Sequence, residues 1–437
     1  MSPLPLGRGA GGGFMSSIFS RGRLLLWGAC LAIAVALPLV FKSGFMLSLL
    51  CQMGVMVVFA LSYNMLLGQT GLLSFGHAVY FGMGAFISMH VLNMIGKDGG
   101  PLLVALLPLV GGLAGLVTGV VLGYVTTKKA GTTFAMISLG IGELVAACAL
   151  MFPGFFGGEG GISGNRVVGK GNLMGFTWGP QVEMYGLIVA WVFVAAVAMF
   201  ALTQTPLGRM ANAVRDNPER AEFVGYDTQR VRYLMLILSG FFAGIAGGLT
   251  ALNYEIVTAE TLNAHTSGVV LLMTFVGGIG FFYGPIIGAI LVTIMQIVIG
   301  GMTQAWLLYF GLFFLFMVLM APGGIASVIA IQRNLWQAGL FGRMVPHYLA
   351  AAAPALVLLA GLVGLIEMSY ALLAGEGAGA GDTTTQVMGM QMQLNAPGPW
   401  AIALGITAAG TALTRWIGGR TSAAWSATLS TLHGDRA

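Results

Sequence analysis

The densest group of charged side chains in this sequence lies in one segment, residues 204–232, which we call the polar island. It holds Arg209, Arg215, Arg220, Arg230 and Arg232 together with Asp216, Glu219, Glu222 and Asp227. A chain this poor in charge does not gather so many charges in one segment by composition alone. The polar island must therefore lie in water, and we expect it to contact a partner there.

Two short helices are predicted inside the polar island. Thr205 and Asn217 are each followed by proline, which fits a capping residue and the first helical position, where a missing N–H costs nothing. Gly225 suits the left-handed residue that ends the second helix. That helix is too short to be stable in isolation. Two interpretations stay open: an ordinary solvated loop, or a coupling helix that docks in a groove of a cytosolic motor protein.

The composition identifies an integral membrane protein. Of the 437 residues, 57% are hydrophobic and only 8% are charged, whereas soluble domains carry roughly 25% charged residues. The net charge of +5 does not indicate a nucleic-acid partner, because the basic residues cluster at the ends of apolar segments. The three cysteines lie in apolar runs and fit buried hydrophobic positions better than a disulfide or a metal site.

The apolar segments predict an all-α, polytopic transmembrane helical bundle embedded in the lipid bilayer. We expect about ten spans in a core of residues 24–325, and one or two more membrane segments in a C-terminal extension, residues 326–437. Residues 1–23 are rich in Gly and Ser and predict a disordered N-terminus. If the spans alternate, this N-terminus, Lys128-Lys129 and the polar island fall on one side, which we take as cytoplasmic.

A second interruption, residues 68–78, follows the second span and is called the polar break. It reads Gly-Gln-Thr-Gly-Leu-Leu-Ser-Phe-Gly-His-Ala and carries no net charge. Such a stretch predicts a broken or re-entrant segment, which is tolerated at membrane depth only where protein or a water-filled cavity covers it.

Glycines recur at a four-residue period in two predicted spans. They are Gly111, Gly115, Gly119 and Gly123 in one span and Gly240, Gly244 and Gly248 in the other. This spacing puts a smooth stripe on one helix face and predicts close helix packing. The alternative is chance, since the chain has 68 glycines.

Glu143 is an acid within the fifth predicted span. An acid at that depth is costly and normally faces the bundle interior. It is either a pore or gating residue or a neutral or paired structural acid near a helix end, and the residues themselves do not decide between these roles.

Catalytic and metal-binding motifs are absent from the sequence. There is no Gly-x-x-x-x-Gly-Lys-Ser/Thr, His-Glu-x-x-His, Cys-x-x-Cys or Gly-x-Ser-x-Gly. We therefore expect no enzyme activity, no metal and no cofactor. If the protein moves a solute, its energy comes from another subunit.

Four stretches carry a resemblance to a known family. The run from Glu219 to Gly225 is similar to the Glu-Ala-Ala-x-x-x-Gly loop of bacterial ABC importer permeases, with Arg220 replacing the first Ala. Residues 64–78 resemble the Asn-Leu-Leu-x-Gly…Gly-x-x-Ser-x-Gly-His-Ala signature of M-type branched-chain amino acid permeases. Residues 158–164 resemble the glycine-rich outer loop of that family, and residues 277–288 resemble its late Gly-Pro turn. Together these stretches cover about residues 45–325 in the family's order.

The resemblance implies a subunit of a bacterial inner-membrane importer. Its partners would be a second permease, cytosolic ABC ATPase subunits and a periplasmic solute-binding protein that delivers a small-molecule solute. Residues that would couple the permease to the ATPase are Gly208, Arg209, Arg215, Asn217, Glu219, Ala221 and Gly225. Residues that would lie near the translocation path are Ser74, Gly76, His77, Glu143 and Gly277.

Several functions remain to be separated. The leading one is import of branched-chain amino acids, and import of urea or short amides is the alternative within the same mechanism. An ion-coupled secondary transporter is a different class, but the scarcity of membrane-embedded acids argues against it. A scaffold without transport would gain nothing from the polar break.

Overall fold

The structure, a computed structural model, describes residues 21–96, 101–167, 176–377, 384–387, 390–393 and 396–434. The described chain is helical apart from loops and two short strand pairs, which confirms the all-α class. The N-terminal segment that we expect to be disordered lies largely outside the described residues.

The first seven helices lead to the polar island. They are α1 Arg21–Val40, α2 Gly44–Thr70, α3 Ala78–Ile95, α4 Pro101–Thr126, α5 Gly131–Met151, α6 Pro153–Phe156 and α7 Gln181–Gln204. A short strand, β1 Ile162–Ser163, lies between α6 and α7 and pairs antiparallel with β2 Ile256–Val257.

The remaining helices start at the polar island. They are α8 Pro206–Asp216, α9 Pro218–Phe223, α10 Thr228–Tyr254, α11 Ala264–Gly277, α12 Gly284–Ile294, α13 Gly300–Met302, α14 Trp306–Met320, α15 Gly324–Gln337, α16 Phe341–Gly377 and α17 Pro397–Gly434. A π-helical turn, Met295–Ile299, joins α12 to α13. The strands β3 Thr384–Val387 and β4 Met390–Gln393 form a second antiparallel pair.

Nine helices in the described part of the chain are long and apolar enough to cross a membrane. The count rises to ten if α14 and α15, which are bent by 46° at a short break, form one span. α11 is apolar but has only 14 residues, fewer than the roughly 20 that a bilayer requires. The protein is thus a multi-pass membrane protein.

Helix α10 lies at the centre of the bundle, and most of its residues are buried. It packs on α2, α3 and α4. At its contact with α4 the two backbones approach directly, because a Cβ atom added at Gly111 would lie 2.5 Å from the Gly244 carbonyl oxygen. A Cβ at Gly248 would likewise lie 2.9 Å from Pro108 Cα. Side chains at these positions would force the helices apart.

The other glycines of the two stripes lie along the same contact. Gly115 meets the Gly240 backbone, Gly119 lies 3.2 Å from Ile237 Cα and Gly123 lies 2.7 Å from a Leu236 methyl group, each measured from an added Cβ. The packing role of the seven glycines stays a prediction until helix separation is measured in variants.

The chain divides into two compact units. The first holds residues 1–297 and 317–326, and the second holds residues 298–316 and 327–437. Within the second unit, α16 packs along α17, with Met368 and Ala403 buried between them. Tyr309 donates a hydrogen bond to the Glu367 carboxylate at 2.8 Å. The border that we expect between core and extension, at residues 325 and 326, stays a prediction.

Candidate functional site

The two predicted helices of the polar island form as the capping residues indicate. The Thr205 hydroxyl accepts from the Gly208 N–H at 3.2 Å and begins α8. The Asn217 side chain accepts from the Arg220 N–H at 2.9 Å and begins α9. A third cap, from Asp227 to the Arg230 N–H at 3.0 Å, begins α10. Each bond spans three residues, so the local sequence sets where these three helices begin.

Gly225 ends α9 with a φ of 94°. The Tyr226 N–H donates to the Ala221 carbonyl at 3.1 Å, and the Gly225 N–H donates to the Glu222 carbonyl at 2.8 Å. These two bonds are the Schellman pattern, which needs a residue with positive φ at the position of Gly225. A Cβ atom makes this conformation costly, by about 1–2 kcal/mol.

The end of α9 presents apolar side chains to solvent. Phe223 is 90% exposed, Val224 71% and Tyr226 44%. Ala221 is buried beneath them, as are Ala211 and Val214 of α8. One face of the helix pair thus packs on the protein, and an aromatic tip is left without cover in the most polar segment of the chain. An exposed apolar patch with a polar rim is typical of a protein–protein contact.

The predicted coupling residues separate into exposed and buried groups. Arg209, Asn217 and Glu219 are exposed on the polar island. Gly208 of α8 is buried against the end of α7, where an added Cβ would lie 2.5 Å from the Leu202 carbonyl oxygen. The exposed group is placed to contact a partner, whereas Gly208 lets α8 fold back against α7.

Arg215 connects the polar island to the polar break. Its guanidinium donates to the Gly68 carbonyl near the end of α2 and pairs with Asp216 at 2.9 Å. Its side chain also packs on Gly71, which ends α2 with a φ of 71°. Because the Gly68 carbonyl belongs to the last turn of α2, Arg215 satisfies an acceptor that the helix itself leaves free.

The polar break returns into the bundle beside α2. Ser74 and His77 are almost fully buried. The Tyr63 hydroxyl donates to the Ser74 carbonyl at 3.0 Å. His77 Nε2 and Ser62 Oγ are 3.1 Å apart, and that hydroxyl donates to the Phe59 carbonyl at 2.7 Å. His77 is therefore the donor to Ser62, which makes its Nδ1 an acceptor, and Nδ1 has no hydrogen-bond partner among the described residues.

Two distant helices hold the other side of the polar break. The Ser138 hydroxyl of α5 accepts from the Phe75 N–H at 3.1 Å, and the Ser267 hydroxyl of α11 accepts from the Ala78 N–H at 2.9 Å. Gly76 lies against the Ser138 backbone, where no Cβ would fit. The non-helical backbone is thus satisfied by side chains of other helices, as irregular structure at membrane depth requires.

The predicted path residues do not share one surface of this chain. Ser74, Gly76 and His77 are buried at the polar break, and Gly277 is buried where α11 meets the start of α12 at Gly284. Glu143 lies one residue from Gly142, which packs on Gly76, but its side chain is exposed on the outer face of α5. In this chain Glu143 therefore does not face the interior of the bundle. Its role near a translocation path stays a prediction.

Sequence reasoning missed Arg166, which is only 7% exposed. Its guanidinium donates to the carbonyls of Leu252 and Asn253 at the end of α10, at 2.9 and 3.0 Å, and to the Trp178 carbonyl at 2.7 Å. Its own N–H donates to the Glu255 carboxylate at 2.8 Å. A cation is favoured at a helix C-terminus. One signal in the sequence could have drawn attention to Arg166. The alternation of spans places this glycine-rich loop on the non-cytoplasmic side of the membrane, where basic residues are uncommon.

Comparisons with known proteins agree with these features. Residues 45–322 match the family model described as branched-chain amino acid transport system / permease component. The high-affinity branched-chain amino acid transport system permease protein LivM of Escherichia coli is 25% identical over 327 residues, covering 70% of this chain and 76% of that protein. A probable branched-chain amino acid transport permease protein LivH of Methanocaldococcus jannaschii is 25% identical over 253 residues, covering 55% and 76% respectively. No solved structure matches the chain.

Proposed function

The chain belongs to the family of permease components of branched-chain amino acid transport systems, and from this premise we propose that it imports branched-chain amino acids as the M-type permease of an ATP-driven importer. It works with a second permease, cytosolic ABC ATPase subunits that hydrolyse the ATP, and a periplasmic solute-binding protein. It lies in the bacterial inner membrane with its N-terminus in the cytoplasm. Residues 24–325 form the permease core, and residues 326–437 form an extension.

The exposed tip of α9 is the observation that carries the coupling proposal. Phe223, Val224 and Tyr226 are uncovered in a segment that is otherwise charged. A short helix with an apolar tip fits a groove on a partner, which is a common mode of helix recognition. In this proposal the exposed residues Arg209, Arg215, Asn217 and Glu219 contact the partner beside the tip, buried Ala221 anchors it, and Gly208 and Gly225 set its angle.

Arg215 transmits ATPase movement to the transport core in this proposal. It joins α8 to the last turn of α2 through the Gly68 carbonyl, just before the polar break. A displacement of the polar island therefore pulls on the polar break, where α2, α3, α5 and α11 meet. Ser74, Gly76, His77 and Gly277 form the buried junctions that move, and Glu143 faces the path or the second permease from the outer face of α5.

Uptake by reconstituted vesicles tests the proposed function. The permease pair and its ATPase are placed in proteoliposomes with ATP inside, and labelled leucine or labelled urea is supplied with candidate binding proteins. ATP-dependent leucine uptake supports the proposal, and ATP-dependent urea uptake keeps the mechanism with another solute. Uptake that ignores ATP and follows an ion gradient overturns it.

Phe223→Ala tests the coupling tip in the same vesicles. Loss of an aromatic anchor costs about 2 kcal/mol or more of docking free energy, so we expect ATP-driven uptake to fall roughly tenfold or more. Met94→Ala is the control, because Met94 is 83% exposed at the opposite end of the bundle. Equal uptake by the two variants would contradict the docking role of α9.

A further inference from the structure

A cavity of about 290 Å³ lies at the end of the bundle opposite the polar island. α2 contributes Gln52 and Met56, α3 contributes Phe81, and the end of α10 contributes Thr250 and Tyr254. The volume is near the lower limit of ordinary ligand pockets, roughly 300 Å³, so it suits a small metabolite. Neither the polar island nor the polar break contributes a lining residue.

The segment after α10 closes one side of this cavity. It runs from β2 through a turn of 3₁₀ helix, Ala259–Leu262, to the start of α11. Leu262 is fully buried against α3, where a Cβ added at Gly82 would lie 2.5 Å from a Leu262 methyl group. The strand pair of Ile162 with Val257 holds the other end of the segment. The segment is thus fixed at both ends and forms a well-packed wall of the cavity. Non-helical backbone is tolerated beside apolar helices where it is buried in protein or lines a cavity.

Three threonine hydroxyl groups of the cavity are hydrogen-bond acceptors toward a ligand. The Thr250 hydroxyl donates its proton to the Ala246 carbonyl at 2.9 Å. The Thr261 hydroxyl donates to the Thr258 carbonyl at 2.8 Å, and the Thr266 hydroxyl donates to the Glu260 carbonyl at 2.9 Å. A hydroxyl that has given its one proton away can only accept from a further partner.

One stronger acceptor lies on the lining, and a second lies just behind it. Gln52 is a lining residue, but its Oε1 atom does not face the cavity and has no hydrogen-bond partner among the described residues. A buried acceptor in that state costs about 1–3 kcal/mol, so a donor in the cavity would favour rotation of this side chain toward it. Glu260 is the one charged residue of the lining, its side chain is exposed, and no ion pair in the described chain includes it. The opposite wall is apolar, formed by Met56, Phe81 and Ile256.

We propose that this cavity is a transient binding subsite for aliphatic α-amino acids. The acceptors around Glu260 and Gln52 bind the protonated amino group, and Met56, Phe81 and Ile256 contact the branched side chain. Tyr254 supplies a hydroxyl donor for the carboxylate. A neutral amide lacks the positive charge that Glu260 complements. This inference rests on the proposed function, because it names the contacts that such a permease makes with its solute.

Binding and transport are measured separately to test the subsite. Labelled leucine is first titrated onto the detergent-solubilised complex without ATP or binding protein, and ATP-driven leucine uptake is then measured in proteoliposomes. We expect Glu260→Gln to weaken leucine binding and to lower uptake at subsaturating leucine, each about tenfold, and Glu260→Asp to restore part of both. Glu159→Gln is the control, since Glu159 is an exposed acid outside the cavity.

The outcomes distinguish the two proposals. If the wild-type protein binds and imports leucine and Glu260→Gln changes neither measurement, the subsite is overturned and the proposed function is kept. Leucine binding that depends on Glu260, without ATP-driven uptake, would keep the subsite and overturn the proposed function. No leucine binding to the wild-type complex, or urea binding that Glu260→Gln does not change, would overturn the subsite.

Discussion

The polar island and the glycine-rich loop before α7, described at residues 157–167 and 176–180, both interrupt a series of apolar helices, but different bonds hold them. In the polar island, Thr205, Asn217 and Asp227 each cap a helix three residues away. In the glycine-rich loop, Arg166 bonds to Leu252 and Asn253, which lie 86 and 87 residues further along the chain. The helix starts of the polar island are thus set by nearby residues, and Arg215 adds one bond to the distant Gly68 carbonyl. The glycine-rich loop depends on the tertiary fold and fixes the end of α10.

The two regions also differ in backbone strain, because the residues with positive φ that Arg166 contacts are not glycines, whereas the residue with positive φ in the polar island is a glycine. Trp178 and Glu255 each have a φ of 57°, and they are the two non-glycine residues with positive φ in the described chain. Arg166 bonds to both of them. The corresponding position in the polar island is a glycine, Gly225, which adopts positive φ at little cost. The bonds from Arg166 therefore offset the cost of positive φ at Trp178 and Glu255. The polar island does not incur this cost, because it has glycine at the equivalent position.

Arg166→Ala gives the largest expected effect on stability. It leaves the carbonyls of Leu252 and Asn253 without their donor, and each buried acceptor in that state costs about 1–3 kcal/mol. We expect the free energy of unfolding to fall by about 2 kcal/mol or more, seen as a lower Tm of the solubilised complex. Arg230→Ala is the control, because its ion pair with Asp227 is exposed and such pairs contribute about 0–1 kcal/mol. Equal Tm values for Arg166→Ala and Arg230→Ala would show that the glycine-rich loop does not depend on Arg166 more than the polar island depends on Arg230.

Gly225→Pro is expected to have the next largest effect, on transport. Proline fixes φ near −65° and cannot adopt the value of 94° that ends α9. We expect ATP-driven uptake to fall at least tenfold while membrane insertion and Tm change little, because Gly225 is exposed at the end of α9. Gly225→Asn is the matched control, since asparagine tolerates positive φ. A Gly225→Pro variant with normal uptake would show that the angle of α9 does not matter.

Asn217→Ala is expected to have the smallest effect. Loss of the cap destabilises α9 by about 1 kcal/mol, and hydrogen exchange of the backbone amides of residues 220–224 should become about five times faster. Asn217→Ser keeps a capping oxygen and should exchange at close to the wild-type rate. If the alanine variant also lowered the Tm as much as Arg166→Ala does, the polar island would not be locally specified.

The same contrast explains which features are predictable from the sequence. The structure confirms the predicted caps at Thr205 and Asn217 and the positive φ of Gly225. These features are predictable because the residues that specify each of them lie within four positions of one another. The family match confirms the resemblance that the ordered motifs indicate. The partners of the polar break, Ser138 and Ser267, could not be predicted, because only packing brings α5 and α11 beside it.

Burial is the feature for which sequence reasoning is weakest. An acid within a span normally faces the bundle interior, but the Glu143 side chain is exposed on the outer face of α5 in this chain. The cavity near Glu260 also has no signal in the sequence, since its lining comes from α2, α3, α10, the segment after α10 and the start of α11. Residues that meet only after the helices pack leave no local pattern.

Helix α10 links the two functional proposals mechanically. It begins with the Asp227 cap in the polar island, has 27 residues and ends beside the cavity at Tyr254, which gives a rod about 40 Å long. Where it crosses α4, the contact at Gly111 and Gly244 is between backbones, so no layer of side chains is present to be compressed. A rigid-body shift of α10 would carry its first and last turns together. The backbone contact at the glycines would then have to slide for a small push at one membrane face to reshape a cavity at the other.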